Sequence, residues 1–392
     1  MTEPQERSGA SLFFDRDLLI IFGVTLTVVM GVSSVAPAFP KIIRELGLKT
    51  HEIGYLITVF TLPGMFLTPV LGVLADRFGR KKVLVPSLFI FAIFGGACGF
   101  IDDFELLLIF RFIQGMGAAA LGALNITILS DIFSGRERIT ALGYNAGVLS
   151  LGTSAYPAVG GALAMFGWNY PFFLPFLVLP LAWIVLSKLE SPRPDRDSHF
   201  KEYMLRAVRL ALTRKALGLF GTTTVTFIIL YGVLITYLPI FLAERFGAEP
   251  WAIGMIIAAA SLTTAMMASQ LRKVADRLST KAMVMTAFLL YGISTVLLPM
   301  VPGMWWAIIP ACVFGMAQGL NIPSIQTMMA ELAPMELRGA FMALNGTVLR
   351  IGQTLGPVIM GAAFAFGGLD GVFATAAVLS GATIFFAWLM IR

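Results

Sequence analysis

The sequence predicts an all-α membrane protein whose twelve transmembrane helices form two pseudo-symmetric six-helix bundles. The first observation is composition, because 58% of the residues are hydrophobic and only 13% are charged, whereas soluble domains carry about 25% charged residues. The second is a series of apolar runs of roughly 20 residues, the length that a helix needs to cross a bilayer. The third is an internal repeat with matching residues 200 positions apart.

Twelve apolar segments follow one another along the chain, and each is interpreted as one membrane-spanning helix. Their approximate limits are 17–40, 51–75, 83–101, 106–130, 139–165, 169–187, 216–243, 251–270, 281–299, 303–330, 340–366 and 369–391. Segments 1, 5, 7 and 10 are long. The prolines within them, Pro37, Pro157, Pro239 and Pro323, predict tilts or kinks.

Lysine and arginine residues are divided unequally between the two sides of the predicted membrane. Lys41, Arg44, Lys49 and Arg245 lie on one side, Arg111 and Arg350 lie within segments, and the rest of the 28 lie on the side of the termini. Because cytoplasmic loops are rich in Lys and Arg, we expect both termini in the cytoplasm and the chain in the cytoplasmic (inner) membrane of a bacterium. Contact with anionic membrane lipids then accounts for the net charge of +6, and no nucleic-acid partner is expected.

The longest loop divides the chain into two parts. Residues 188–215 are rich in charge and contain Pro192 and Pro194, so we interpret them as a cytoplasmic linker. The stretch from Glu202 to Thr213 has the pattern of an amphipathic helix on the membrane surface. Residues 1–187 would form the N-terminal six-helix bundle and residues 216–392 the C-terminal one, and we expect a monomer.

The two parts repeat one plan. Asn145 matches Asn345, Gly152 matches Gly352 and Pro157 matches Pro357, and the tripeptide Ala-Asp-Arg at 75–77 recurs at 275–277, each at a shift of 200. Gln114-Gly115 matches Gln318-Gly319 at a shift of 204. A repeat of this kind predicts two bundles related by an axis along the membrane normal, a transporter architecture with the substrate between the bundles near the midplane.

Two motifs in the first part carry a resemblance to a known family. GVLADRFGRKKVL, from Gly72 to Leu84, resembles the loop signature of the major facilitator superfamily. LLIFRFIQGMGAAA, from Leu107 to Ala120, is similar to the signature of that family's fourth helix. Together with the fifth segment, these motifs extend the resemblance over the whole chain, and it implies the major facilitator fold.

The fifth segment resembles the signature of the drug:proton antiporter branch of that family. The matching positions are Gly143, Gly152, Pro157, Gly160 and Gly161. Tyr156 departs from the signature, which has glycine before the proline, and the intact pair occurs instead as Gly356-Pro357 in the eleventh segment. The resemblance implies a rocking role for these residues, and ordinary packing of small residues explains them equally well.

The loop that begins at Gly72 combines small residues with charges. Gly72 allows close approach of helices in lipid, Gly79 permits a tight turn, and Arg77 with the cations that follow keeps the hairpin on the cytoplasmic side. A plain positive-inside hairpin explains the cations but does not explain Asp76. A carboxylate at the edge of a membrane needs a partner.

The resemblance supplies partners for these charges. It implies that Asp76 faces the N-terminus of the eleventh helix, where the helix dipole favours an anion, and that Arg80 pairs with Asp131. Such a cluster would act as a latch that closes the cytoplasmic side. Asp276 and Glu331 keep two of the acids in the second part, where we expect a weaker latch.

The fourth segment carries the candidates for proton coupling. The resemblance implies a buried Arg111 tied to proton transfer, with Asp103 and Glu105 as nearby titratable groups. The alternative is an arginine that reaches the outer interface or pairs with one of these acids.

By resemblance, the first, fourth, seventh and tenth segments line the substrate cavity. Their polar or adaptable residues include Asn125, Tyr231, Tyr237, Gln318, Asn321 and Met316. The interiors of the first, seventh, eighth and tenth segments contain no acidic residue, which argues against the usual recognition of cationic drugs by a carboxylate in the cavity.

Arg350 is a cation in the predicted membrane core. It follows Arg338 by twelve residues, which at 1.5 Å per residue is roughly 18 Å, near the middle of a core about 30 Å thick. Gly346, Gln353 and Pro357 share its helical face, which suits an anionic head group. The alternative is an arginine bound to backbone carbonyl groups near Pro357.

These observations favour a secondary active transporter that works by alternating access. The preferred interpretation is a proton-coupled exporter of amphiphilic small molecules, similar to multidrug efflux proteins. The alternative is a transporter of an organic anion, a lipid or a metabolite that uses Arg350. An enzyme is not expected, because the sequence shows no nucleophile–base pair or large extramembrane domain. Cys98 and Cys312 lack metal-ligand spacing, so neither a metal nor a cofactor is expected.

Overall fold

The computed structural model of the chain describes residues 12–189, 206, 208–334 and 337–391. Within these ranges all regular secondary structure is helical. Each of the twelve predicted segments coincides with one helix or with a run of consecutive helices, so the prediction of an all-α membrane fold is confirmed. The predicted amphipathic helix of the linker lies largely outside the described residues, although residues 208–211 are helical. The domain limits at 187 and 215 stay predictions.

The first half of the chain contains six long helices. They are α1 (Arg16–Ser33), α2 (Tyr55–Phe78), α3 (Arg80–Ala97), α4 (Phe104–Ile132), α5 (Gly135–Phe166) and α6 (Val178–Lys188). After α1 the chain continues through a 3-10 turn, Ala36–Ala38, into the short helix Phe39–Glu45. The α2–α3 hairpin turns at Gly79, whose φ of 104° lies in the region that favours glycine.

The second half follows the same order. Its helices are α7 (Arg214–Ile229), α8 (Pro250–Ser269), α9 (Thr280–Leu297), α10 (Ile308–Leu332), α11 (338–366) and α12 (369–390). The last two are the arms of one continuous assignment, Arg338–Met390, which is interrupted by non-helical dihedral angles at Gly367 and Gly368. Between α7 and the short helix Leu238–Phe246 lies a π-helical segment, Leu230–Tyr237.

Length and hydropathy agree with a membrane location. In the described part of the chain, ten helical stretches are long and apolar enough to cross a membrane. That number counts α11 and α12 as one stretch and does not include α5, a helix of 32 residues. Several helix ends lie together on the side of the termini, where Arg214 donates a hydrogen bond to the carbonyl of Leu389 over 2.9 Å. We call this face the termini side and the opposite face the far side.

The two halves meet closely on the far side. A Cβ atom at Gly161 of α5 would overlap the carbonyl oxygen of Pro250 at the start of α8, and a Cβ atom at Gly254 of α8 would overlap the carbonyl oxygen of Pro157. Pro357 of α11 packs onto Gly54, just before α2. Glycine therefore allows two pairs of helices, α5–α8 and α2–α11, to bring their backbones together.

The same helices are separated on the termini side. A Cβ atom at Gly72, Gly143, Gly147 or Gly346 would meet no atom of the described chain within 4 Å. These glycines lie in the halves of α2, α5 and α11 that are nearer the termini. The structure thus has a crevice between its halves that is open to the termini side and closed on the far side.

The predicted tilts or kinks at the four prolines stay predictions, and the prolines differ in their positions. Pro37 and Pro239 do lie at interruptions of a helix, but α5 continues through Pro157 and α10 through Pro323. Neighbouring helices and Ser or Thr side chains can satisfy the carbonyl groups that a proline leaves unpaired in a membrane, so a proline need not end a helix there.

The repeat in α4 and α10 also has a different register from the one predicted. Gly115 lies against the carbonyl of Phe60, and Gly315 lies against the carbonyl of Ala260. Both glycines and both partners are therefore related by the general shift of 200. The match of Gln114-Gly115 with Gln318-Gly319 at a shift of 204 is wrong, by about one helical turn.

We expect Gly254→Val to lower the melting temperature of the purified protein in detergent by several degrees. The added side chain would overlap the Pro157 carbonyl, and overpacking typically costs about 1–3 kcal/mol. The matched control is Gly147→Val, because the space beside Gly147 is open. Equal melting temperatures for the two variants would contradict close backbone packing between α5 and α8.

Candidate functional site

Arg350 of α11 lies at the closed end of the crevice. Its Nη1 donates a hydrogen bond over 3.1 Å to Oε1 of Gln353, one turn along the same helix. Gln353 in turn donates from Nε2 to the hydroxyl of Tyr231 over 2.9 Å. Tyr231 belongs to the π-helical segment, and irregular segments of this kind are frequent at functional sites. The three side chains form one polar group, which we call the Arg350 group.

Two glycines of the first half make room for this arginine. A Cβ atom at Gly64 of α2 would lie 3.1 Å from Cδ of Arg350, and a Cβ atom at Gly122 of α4 would lie 3.7 Å from Nη2. Arg350 therefore extends from the second half of the chain towards α2 and α4. The Arg350 group therefore lies at the interface between the two halves.

Threonine hydrogen bonds close the crevice next to Arg350. The hydroxyls of Thr61 on α2 and Thr354 on α11 are 2.9 Å apart. Thr58 donates to the carbonyl of Thr354 over 3.2 Å, and Thr354 donates to the carbonyl of Arg350 over 2.9 Å. Opening of the far side would separate α2 from α11 and break the first two of these bonds.

The charge of Arg350 has no counter-charge among the described side chains. The ion pairs in that part of the chain join Arg16 to Asp17 and Arg80 to Asp76 and Asp131. Arg350 is half-buried, and its side-chain hydrogen bond within the described chain engages Nη1 alone. An arginine has five N–H donors in a planar fork, so most of its donors have no acceptor among the described residues.

One buried cluster of Asn and Thr lies in each half. In the first half Asn125 donates to the hydroxyl of Thr25 over 2.6 Å, and that hydroxyl also bonds to Asn145. In the second half Asn321 donates to the hydroxyl of Thr226 over 2.6 Å. These contacts hold α4 against α1 and α10 against α7, the same pairing in both halves.

Arg111 is the most deeply buried cation in the described chain, with 1% of its surface exposed. It donates to the carbonyl groups of Gly31 over 2.9 Å and Leu56 over 3.3 Å, and to Oε1 of Gln114 over 2.7 Å. Its guanidinium carbon lies 4.3 Å from the centre of the Phe60 ring. Arg111 therefore binds α1 and α2 to α4 through neutral acceptors.

The acidic candidates for proton coupling lie at the far-side end of the same helix. Asp103 caps α4 by accepting a hydrogen bond from the backbone N–H of Leu106 over 2.8 Å. Glu105 lies in the first turn of α4 and is exposed. Arg111 makes no ion pair with either acid among the described contacts.

The predicted latch residues of the first half lie around the α2–α3 turn on the termini side. Nε of Arg80 is 2.7 Å from a carboxylate oxygen of Asp131, and its Nη2 is 3.6 Å from Asp76. The side chain of Asp76 is 54% exposed and lies at the open mouth of the crevice. Within the described residues, Asp276 and Glu331 have no ion pair, and both are exposed.

Some predicted cavity residues lie apart from the Arg350 group. Gln318 is buried and accepts a hydrogen bond from the hydroxyl of Tyr291 of α9 over 3.1 Å. Tyr237 is fully buried, with its ring stacked on Phe364. Met316 lines a separate shallow groove together with Met266 and Met267 of α8.

The predicted hinge residues serve different contacts. Gly160 lies against the carbonyl of Ser34 and Gly152 against side chains of α1, whereas Gly356 lies against the carbonyl of Ile228 in α7. Gly161 and Pro357 contact the opposite half of the chain, as described above. Gly143 faces the open crevice.

Sequence reasoning missed two features of the site. The sequence does not indicate the pairing of Thr61 with Thr354, because a threonine hydroxyl in a membrane helix most often bonds to a backbone carbonyl of the same helix. The π-helical segment Leu230–Tyr237 was also missed. Its signal was Gly232, which lies against the carbonyl of Gly356 where α7 and α11 cross.

Comparison with known proteins gives relatives of nearly the same length. Multidrug resistance protein 2 of Bacillus subtilis is 24% identical over 356 residues, which are 88% of each chain. The bacillibactin exporter of the same organism is 25% identical, over 88% of this chain and 89% of its own. The quinolone resistance protein NorA of Staphylococcus aureus is 23% identical, over 89% of this chain and 90% of its own.

Solved structures share the fold. A point mutant of the nucleoside transporter NupG superimposes with a TM-score of 0.80 at 14% identity, over 96% of this chain and 100% of its own. A bacterial homologue of the human lysosomal transporter Spinster, in an inward-facing and occupied conformation, has a TM-score of 0.77 at 18% identity, over 95% of this chain and 96% of its own.

The sequence profile of the Major Facilitator Superfamily matches residues 21–271 and again residues 219–392. The two matches together cover all but the first 20 residues, and the second begins near the start of α7. The chain belongs to the major facilitator superfamily.

Proposed function

We propose that the protein is a secondary active transporter that works by alternating access and exports amphiphilic small molecules. The observation that carries this proposal is the crevice, which is closed by backbone contacts on the far side and open beside Gly72 and Gly346 on the termini side. Charge distribution supports a cytoplasmic location for the termini. With that orientation, the described conformation is open to the cytoplasm, ready to take up a molecule for export.

The direction of transport and the substrate class rest on the relatives. Proteins named for multidrug resistance, quinolone resistance and bacillibactin export resemble this chain over almost their whole length. A crevice that opens into a lipid-embedded helix bundle admits molecules with an apolar body. The polar Arg350 group at the closed end of the crevice favours substrates that also have a polar head group.

We also propose that protons drive the transport, with Arg111, Asp103 and Glu105 as the coupling residues. Arg111 contacts α1 and α2 from α4, so its surroundings change if these helices rotate against one another. Asp103 and Glu105 lie at the exposed end of the same helix, where water supplies protons. All three residues lie on α4 or at its N-cap, which supports a common role.

The proposal can be tested in sealed liposomes of phosphatidylcholine. The probes are pyrenes that carry either a sulfonate or a quaternary ammonium group on the same butyl chain, so that both keep their charge at every pH used. We expect a pH gradient to drive one of these probes across the membrane faster than in protein-free vesicles, and an ionophore that dissipates the gradient to abolish the difference. Equal rates with and without protein for both probes would refute the proposed function.

We expect Asp76→Asn to reduce the transport rate at least several-fold while the melting temperature stays near that of the wild type. The carboxylate is exposed in this conformation, so its loss costs little stability here and acts on the closed state of the termini side. Asp276→Asn is the matched control at the repeat position, where we expect a smaller decrease. An Asp76→Asn protein with wild-type turnover would contradict the latch.

We expect Arg111→Ala to reduce transport driven by a pH gradient more than it reduces probe binding. The alanine removes the cation while the substrate crevice at Arg350 keeps its groups. The two measurements are initial transport rate and equilibrium binding in nanodiscs, with Arg111→Lys as the variant that keeps the charge. Parallel losses in both measurements, together with a lower melting temperature, would instead identify Arg111 as a purely structural residue.

A further inference from the structure

We propose that Arg350 binds a singly charged oxyanion of the transported molecule, such as a carboxylate or a sulfonate, and that this group supplies the counter-charge that the described side chains lack. This inference rests on the proposed function, because it names the head group that the exporter recognises. It also makes the cavity selective against cationic molecules, which the guanidinium would repel.

The first argument is the cost of the charge. Arg350 lies roughly 18 Å along α11 from its start, near the middle of the membrane core. A charged side chain at such depth is expensive and usually pairs with another group or faces a watery pathway. None of the described carboxylates lies within ion-pair distance of Arg350. A bound anion would supply the pairing that the described residues do not provide.

The second argument is the geometry of the donors. The bond from Nη1 to Gln353 fixes the guanidinium, and Gln353 is itself fixed by its bond to Tyr231. Nε and Nη2 have no acceptor among the described residues, and arginine forks bind carboxylates with two parallel hydrogen bonds. The Tyr231 hydroxyl accepts from Gln353, so its own proton stays available for donation. The Arg350 group thus offers several oriented donors and a single positive charge.

The third argument is comparison within the molecule. Ser150 of α5 occupies the position related to Arg350 by the shift of 200, and its hydroxyl bonds to the carbonyl of Ala146 in its own helix. The fold therefore does not need a cation at this level. Arg111 provides the contrasting case, because neutral acceptors of three helices bind its guanidinium. Arg111 thus has protein acceptors for its guanidinium, whereas Nε and Nη2 of Arg350 have none among the described residues.

Gly122 offers a way to test the missing counter-charge directly. A Cβ atom there would lie 3.7 Å from Nη2 of Arg350 and 4.0 Å from Val28, which are ordinary contact distances. Gly122→Asp would therefore place a carboxylate beside the guanidinium without overlap. Gly122→Asn has nearly the same shape and no charge, so the two variants separate charge from bulk.

The experiment measures equilibrium binding of the pyrene probes to protein in phosphatidylcholine nanodiscs. We expect the sulfonate probe to bind at least tenfold more tightly than the corresponding alcohol, and Arg350→Ala to remove this difference. Arg350→Lys should keep part of it. Gly122→Asp should weaken sulfonate binding about tenfold more than Gly122→Asn does, whereas the two variants should change alcohol binding equally.

Several results would overturn the inference. Equal affinity of the wild type for the sulfonate and the alcohol would show that Arg350 does not select an anion. Equal effects of Gly122→Asp and Gly122→Asn would show that bulk, and not charge, matters beside Arg350. Displacement of the sulfonate probe by a small fraction of phosphatidylglycerol would assign the site to a lipid head group instead of the transported molecule.

The inference and the proposed function can fail separately. If the protein moves the quaternary ammonium probe but not the sulfonate, it is an exporter and the anion site is wrong. If the sulfonate binds through Arg350 but neither probe crosses the liposome membrane, the proposed function is wrong and the anion site stands.

Discussion

Close contact between helix backbones on the far side is the constraint on which the rest of the structure depends. Lipid provides no hydrophobic force that would push helices together, so packing and small residues must hold them. Gly161 of α5 lies against the backbone of α8, and Gly254 of α8 lies against the backbone of α5. Gly54 allows the same close approach between α2 and α11. Because both pairs join the two halves, their contacts determine which side of the crevice is closed.

The two arginines within the membrane segments, Arg111 and Arg350, have different environments. Arg111 is sealed by carbonyl and amide oxygens from three helices, so its charge is distributed over neutral dipoles and it ties the first half together. Arg350 bonds within its own helix and points to the other half. A substitution at Arg111 therefore acts first on one half, whereas a substitution at Arg350 acts on the interface between them.

The sequence predicted the helices well, because an apolar run of about 20 residues has few alternatives to crossing the membrane. It also drew attention to Arg350, since no neighbouring residue in the sequence could neutralise it. It could not determine whether α5 and α10 continue through Pro157 and Pro323, because that depends on whether neighbouring groups satisfy the backbone. The positions of Gln318 and Met316 were equally out of reach, because an apolar helix has no polar face to show which side meets the cavity, a neighbouring helix or lipid. Which side of the crevice is closed is a property of helix pairs, and single segments carry no information about it.

Under the proposed function, the position of Arg350 links substrate charge to the movement of the two halves. Thr354 joins the backbone of Arg350 to Thr61 and Thr58 of α2, so the cation lies beside the bonds that must break when the far side opens. In the proposed alternating-access cycle, the passage between the two open states goes through an arrangement in which the crevice is closed to water on both sides. In that arrangement an unpaired guanidinium would be costly, because the desolvation of a charge is not offset. Under the proposed assignment a bound anion removes this cost, so the loaded protein closes more readily than the empty one. Because no described carboxylate lies beside Arg350, the bound anion would couple closure to occupancy of the crevice.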